Sequence, residues 1–126
     1  MVPYGIFSKC TNLKTVKLDA GLENITIDGL AFEYCSSLTN VDLGNNISVI
    51  SGGAFYGCSS LTNITVTDKL TKIGSEAFYN CVLLKYINLT DNITEIGDSA
   101  FFACRRLTDV HIPNNSSYTT ISNGTF

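Results

Sequence analysis

The stretch Ala54–Ile64, AFYGCSSLTNI, decides how the rest of the chain is read, because the chain writes it four times with small changes. It returns as AFEYCSSLTNV from Ala31, as AFYNCVLLKYI from Ala77 and as AFFACRRLTDV from Ala100. Phe32, Phe55, Phe78 and Phe101 stand 23 residues apart, with Phe7 and Phe126 a further 25 residues out on either side. Cys10, Cys35, Cys58, Cys81 and Cys104 keep the same step, as do Leu13, Leu38, Leu61, Leu84 and Leu107. The two longer spacings place small insertions within Asp19 to Asn24 and Pro113 to Ser117, polar stretches where extra residues are tolerated.

After each Leu come two apolar residues separated by a polar one: Val16/Leu18, Val41/Leu43, Ile64/Val66, Ile87/Leu89 and Val110/Ile112. That period of two, with its β-branched content, predicts a short strand. The A-F-x-x-C-x-x-L part has apolar residues three apart, which predicts a helical or 3₁₀ turn. Turn-forming clusters such as Gly44-Asn45-Asn46, Gly52-Gly53 and Asp91-Asn92 lie between the two. A single unit cannot bury its apolar side, but stacked units can. Parallel strands about 4.8 Å apart would then align equivalent side chains in ladders of Phe, Cys and aliphatic residues. The expected fold is one α/β repeat solenoid over residues 1–126, with about five rungs of 23 residues. A parallel β-sheet covers one face and short helical or 3₁₀ turns cover the other.

Composition narrows the function. The chain is 44% hydrophobic and 15% charged, with a net charge of −3. It has material for a core and no basic footprint for nucleic acid or for an anionic membrane surface. No apolar run reaches the roughly 20 residues a membrane-spanning helix needs, and MVPYGIFSKC lacks the shape of a secretory signal. The chain opens and closes inside a repeat without a polar capping unit. It therefore reads as a piece of a longer array whose bare ends could self-associate end to end.

The residues that could carry chemistry have simpler roles. Five cysteines in a linear ladder, without CxxC spacing, suit neither a tetrahedral metal site nor well-aimed disulfides, and read as small buried hydrophobes. His111, the one histidine, shares a strand face with Asp109, but no nucleophile motif accompanies it. No phosphate-binding glycine motif occurs. Catalysis and a metal or organic cofactor are not expected. Asn24, Asn46, Asn63, Asn88, Asn92, Asn114, Asn115 and Asn123 each begin an Asn-x-Ser/Thr sequon, acceptors in a secreted eukaryotic protein but also ordinary turn and strand residues of this repeat. The recurring Phe reads as a core spine. Tyr56, Tyr79 and Phe102, next along, read as a half-exposed strip packed around the turn.

L-x-x-(L/V/I)-x-(L/V/I) within 23 residues resembles a leucine-rich repeat. The added A-F-x-x-C-x-x-L, preceded by Ile73-Gly74-Ser75-Glu76 and Ile96-Gly97-Asp98-Ser99, resembles the BspA-like, or Treponema pallidum type, subclass over essentially the whole chain. Departures are the single Pro113 after a strand, an irregular first unit at Leu30, and Thr125-Phe126 where Ala-Phe is usual. The resemblance implies a right-handed solenoid and a non-enzymatic surface or secreted module. It implies adhesion to host or microbial proteins or glycans.

Such a module would bind through outward strand positions, which vary between rungs while inward ones do not. The candidate ligand-binding face comprises Lys17, Asn40, Asp42, Asn63, Thr65, Tyr86, Asn88, Asp109 and His111. Asp19, Gly44, Thr67, Thr90 and Pro113 continue the outward register. Tyr86 is the anchor candidate, since exposed aromatics are favoured at binding hot spots. The expected partner is a protein or glycan, with no nucleic acid and no direct membrane insertion, at the cell surface or outside the cell. Two other readings share the fold: an intracellular scaffold or regulatory repeat protein, and targeting repeats of a larger secreted enzyme.

Overall fold

The structure, a computed structural model, describes residues 1–18, 21, 23–111, 120–122 and 124–126, with Thr120 and Ile121 described as backbone only. Asp19, Ile112, Pro113, the sequon residues Asn114, Asn115 and Asn123, the insertion after Pro113 and half of the first one lie outside the described residues. Short parallel strands alternate between two sides of a solenoid of about four turns. On one side are β1 (Thr15–Lys17), β3 (Asn40–Asp42), β5 (Asn63–Thr65), β7 (Tyr86–Ile87) and β9 (Asp109–Val110). On the other are β2 (Ile25–Ile27), β4 (Ile47–Ile50), β6 (Lys72–Ile73), β8 (Glu95–Ile96) and β10 (Thr120–Ile121).

The repeat spacing sets the register. Val16, Val41 and Ile64 pair in step, as do Ile87 and Val110. The first side divides into a three-stranded sheet β1-β3-β5 and a two-stranded sheet β7-β9. The segment between the turn clusters and the Phe forms a second sheet, β10-β8-β6-β4-β2, continuous over five strands. It turns its Ile residues inward: Ile27, Ile50, Ile73 and Ile96 are fully buried. Hydroxyls stitch rungs together on both sides. Thr62 Oγ1 donates to the Thr39 carbonyl at 3.0 Å, and Thr71 and Thr94 donate to Ser48 and Thr71 carbonyls at 3.1 Å.

The expected helical or 3₁₀ turns do not form: among the described residues there is no helix. Around each Phe the backbone N–H groups alternate between two destinations. In Gly53–Cys58, the N–H groups of Ala54, Tyr56 and Cys58 bond three residues back, to Ser51, Gly53 and Phe55. The N–H groups of Gly53, Phe55 and Gly57 instead reach the next rung, to Ser75, Ala77 and Tyr79. A helix keeps its bonds within its own chain segment and its φ angles negative. Here residues on either side of the Phe are left-handed: Leu30 and Tyr34, Gly53 and Gly57, Glu76 and Asn80, Ser99 and Ala103. The segment is a chain of tight turns that spends half its donors on the neighbouring rung, so the molecule is a β-solenoid. Leu30 is not irregular, because it occupies the same left-handed position as Gly53 and Glu76.

The core is the set of ladders. Phe7, Phe32, Phe55, Phe78, Phe101 and Phe126 stack in one column, with adjacent ring centroids 5.1–5.6 Å apart and planes within 12°. Thr125 continues the Ala column: it is buried, and its carbonyl accepts the Phe101 N–H at 2.7 Å. Burying one such ring contributes on the order of 1.5–3 kcal/mol.

Cys35, Cys58, Cys81 and Cys104 are buried hydrophobes with a further job, whereas Cys10, on the first described rung, is exposed. Cys58 Sγ donates to the Phe32 carbonyl at 3.1 Å, Cys81 to Phe55 at 3.2 Å and Cys104 to Phe78 at 3.1 Å. Each of these carbonyls also accepts the N–H of the Cys in its own rung, as Phe55 does from Cys58. The thiol therefore satisfies a second lone pair that burial would leave empty.

Candidate functional site

The face formed by the β1-β3-β5 and β7-β9 sheets positions the candidate residues. One column runs Thr15, Asn40 and Asn63 across the three-stranded sheet, with Tyr86 and Asp109 paired on the two-stranded one. Lys17, Asp42 and Thr65 form the neighbouring column. Asn88 and His111 follow directly after β7 and β9. Lys17, Asn40, Thr65, Tyr86, Asn88, Asp109 and His111 are exposed.

Two members differ from the sequence expectation. Asn63 is half-buried, and Asp42 is half-buried with its Oδ1 accepting the Gly44 N–H at 3.0 Å. Asp42 thus serves the turn that follows its strand. The outward register fades past these positions. Thr67 and Thr90 are half-buried, and their Oγ1 atoms are closed off without a partner. Strands of two or three residues hold alternation over only that length, after which the turn redirects the side chain.

Four of the candidates come together. Tyr86, Asn88, Asp109 and His111, with Ile87 beneath, line a hollow of about 240 Å³. Tyr86 is 51% exposed and presents the largest apolar surface there. His111 Nε2 lies 3.4 Å from Asp91 Oδ1, an exposed contact screened by solvent. Asp91 was not visible as a site residue, because it sits in the turn after the strand instead of on it. Lys17, Asn40, Asp42, Asn63 and Thr65 share the face but not the hollow. A second hollow, of about 550 Å³, lies at the last described rung among Phe101, Cys104, Leu107, Val110 and Phe126, and it is packing surface of the repeat.

On the opposite edge, Tyr56 and Tyr79 stack at 4.8 Å and Tyr79 and Phe102 at 5.1 Å, giving the expected aromatic strip. Tyr34 extends it by an edge contact to Tyr56 at 5.3 Å. Its ring lies where a side chain on residue 57 would be, which is why that residue is Gly.

The sequence profile described as "BspA type Leucine rich repeat region" matches residues 25–126 in six copies. The chain belongs to the BspA-type leucine-rich repeat family. A leucine-rich repeat protein from Bacteroides ovatus ATCC 8483 superposes with a TM-score of 0.82 at 32% identity, over 88% of this chain and 28% of that one. The T. pallidum leucine-rich repeat protein gives a TM-score of 0.77 at 30% identity, over 87% of this chain and 51% of that one. A leucine rich cell surface protein from Faecalibacterium prausnitzii A2-165 shares the fold at 22% identity, with a TM-score of 0.54 over 89% of this chain and 33% of that one. The BspA-type chain thus spans between a quarter and about half of the length of these proteins. Among curated proteins none matches it. Leucine-rich repeats of this type are protein-interaction modules. Among the described residues no helix is long and apolar enough to cross a membrane, and no group of three or more His, Cys, Asp or Glu could hold a metal ion.

Proposed function

We propose that the chain is a non-enzymatic interaction module, displayed at the cell surface or secreted, that holds a protein or glycan partner against the face of β1, β3, β5, β7 and β9. The observation that carries the reading is the convergence of Tyr86, Asn88, Asp109 and His111 on one hollow of a sheet whose other outward residues change from rung to rung. The inward residues beneath repeat from rung to rung and are buried, so variation at these outward positions costs the fold little. Many modest polar contacts repeated along a rigid face gain from avidity. Surface location and adhesion come from the family resemblance.

Protease treatment of intact source cells tests the location. Release of peptides such as Tyr86–Arg105 while cytoplasmic markers stay protected is the expected result. Recovery only after lysis would replace this reading with an intracellular scaffold. End-to-end self-association is supported by the apolar hollow around Phe101 and Phe126. A chain that sediments as a monomer at every concentration would remove it.

A further inference from the structure

The ligand chemistry of the hollow between β7 and β9 can be narrowed, on the basis that this sheet face is the docking surface. We infer that the hollow is a subsite for one neutral pyranose ring of a glycan, stacked on Tyr86 and hydrogen-bonded by Asn88, Asp109 and His111.

Size comes first. About 240 Å³ lies below the ~300–1,000 Å³ usual for drug-sized ligands, so the space suits one ring with the remainder of the ligand outside. The wall offers one flat aromatic surface, the half-exposed Tyr86 ring, over a floor of buried Ile87. A pyranose has a C–H face that packs on such a ring and a rim of hydroxyls that needs hydrogen bonds.

The rim groups match hydroxyls. Asp109 accepts only, the Asn88 amide both donates and accepts, and the His111 ring offers its second nitrogen while Nε2 faces Asp91. Among the described residues the side chains of Tyr86, Asn88 and Asp109 have no hydrogen-bond partner in the protein, so all three are free to serve a ligand.

Other ligand classes fit less well. A purely apolar group would cover Asp109 and Asn88 without satisfying them. A phosphate, sulfate or carboxylated sugar would meet Asp109 and Asp91 with no Lys or Arg lining the hollow. An arginine or lysine side chain could pair with Asp109, but it only donates. It would leave the donors of Asn88 and His111 unused, and a single ring gives it no aromatic cage.

The test is saturation-transfer NMR on the 126-residue chain. The probes are neutral methyl pyranosides of glucose, galactose, mannose and N-acetylglucosamine, with an arginine-rich peptide as the alternative. Transfer to the C–H protons of one pyranoside face is expected. It should be kept in Tyr86→Phe and in the second-sheet control Thr94→Ala. In Tyr86→Ala binding should weaken at least about tenfold, the scale of one aromatic contact. No transfer to any neutral pyranoside, or transfer that survives Tyr86→Ala, overturns the inference. If only the peptide binds in a Tyr86-dependent way, the glycan assignment falls and the sheet-face reading stands. If neither probe depends on Tyr86, both fall.

Discussion

Leu30, Gly53, Glu76 and Ser99 occupy one position of the repeat, and all four are held at positive φ, between 55° and 64°. Tyr34, Gly57, Asn80 and Ala103 occupy a second such position, on the far side of the Phe. Non-glycine residues adopt this backbone at a cost of about 1–2 kcal/mol each, and the N–H groups of Leu30, Tyr34, Glu76 and Asn80 use it to reach the next rung. The second position makes opposite predictions for opposite substitutions. Ala103→Gly relieves the strain, and after the extra chain entropy of glycine it should stabilise the protein by roughly 0.5–1 kcal/mol. Gly57→Ala imposes the strain and drives its Cβ to 2.5 Å from Tyr34 Cδ1, so a loss of at least about 2 kcal/mol is expected. Urea unfolding of the two variants reads both signs, and equal effects would contradict the turn geometry. The sequence carries this signal in GGAFYG, where glycines flank Phe55 symmetrically. The three-residue apolar spacing hides it by imitating a helical turn.

At the scale of the element, the ladders were legible because each repeats one residue type in step. What spacing does not convey is where the hydrogen bonds go. It made the cysteines apolar filler, whereas their thiols satisfy carbonyls of the preceding rung. Nor does spacing convey that the piece around Ile50 and Ile73 pairs into the longer sheet. The thiol ladder predicts how stability varies with pH. Burial pushes the Cys58 and Cys81 thiols well above their ordinary value of 9.0, and Cys104 up to about 12. The folded chain therefore keeps protons that the unfolded chain loses as pH rises through about 9. Stability from this source is fully present below that pH. Above it, stability falls by about 1.4 kcal/mol per pH unit for each such thiol until the folded-state pKa is reached. Urea midpoints measured from pH 7 to 10 should show the decline, and the decline should be shallower in Cys58→Ala/Cys81→Ala. An unchanged slope in that variant would assign the effect to other groups.

The whole molecule is a stack of near-identical rungs in which one face is left to vary. The leucine-rich-repeat solenoid could be read from the repeat alone, since five units agreeing at the Phe, Cys and Leu positions admit few other architectures, but the helical turns expected on its second side are absent among the described residues. The candidate face was legible to the extent that alternation lasts. Tyr86, Asn88, Asp109 and His111 stay exposed, while Asp42 is drawn into a turn and the Thr90 hydroxyl is closed off. That Tyr86, Asn88, Asp109 and His111 share one hollow, with Asp91 facing His111, depends on how the chain turns after β7 and β9, and no spacing rule conveys it. The claim that most needs testing is that partners are engaged through this face and not through the second sheet or the aromatic edge. The most direct measurement is photo-cross-linking on intact source cells with a photoreactive residue placed in turn at Tyr86, at Thr94 just before β8 of the second sheet and at Phe102 on the edge. Cross-links from position 86 and none from 94 or 102 are predicted. Cross-links from 94 or 102 with position 86 silent would contradict the account.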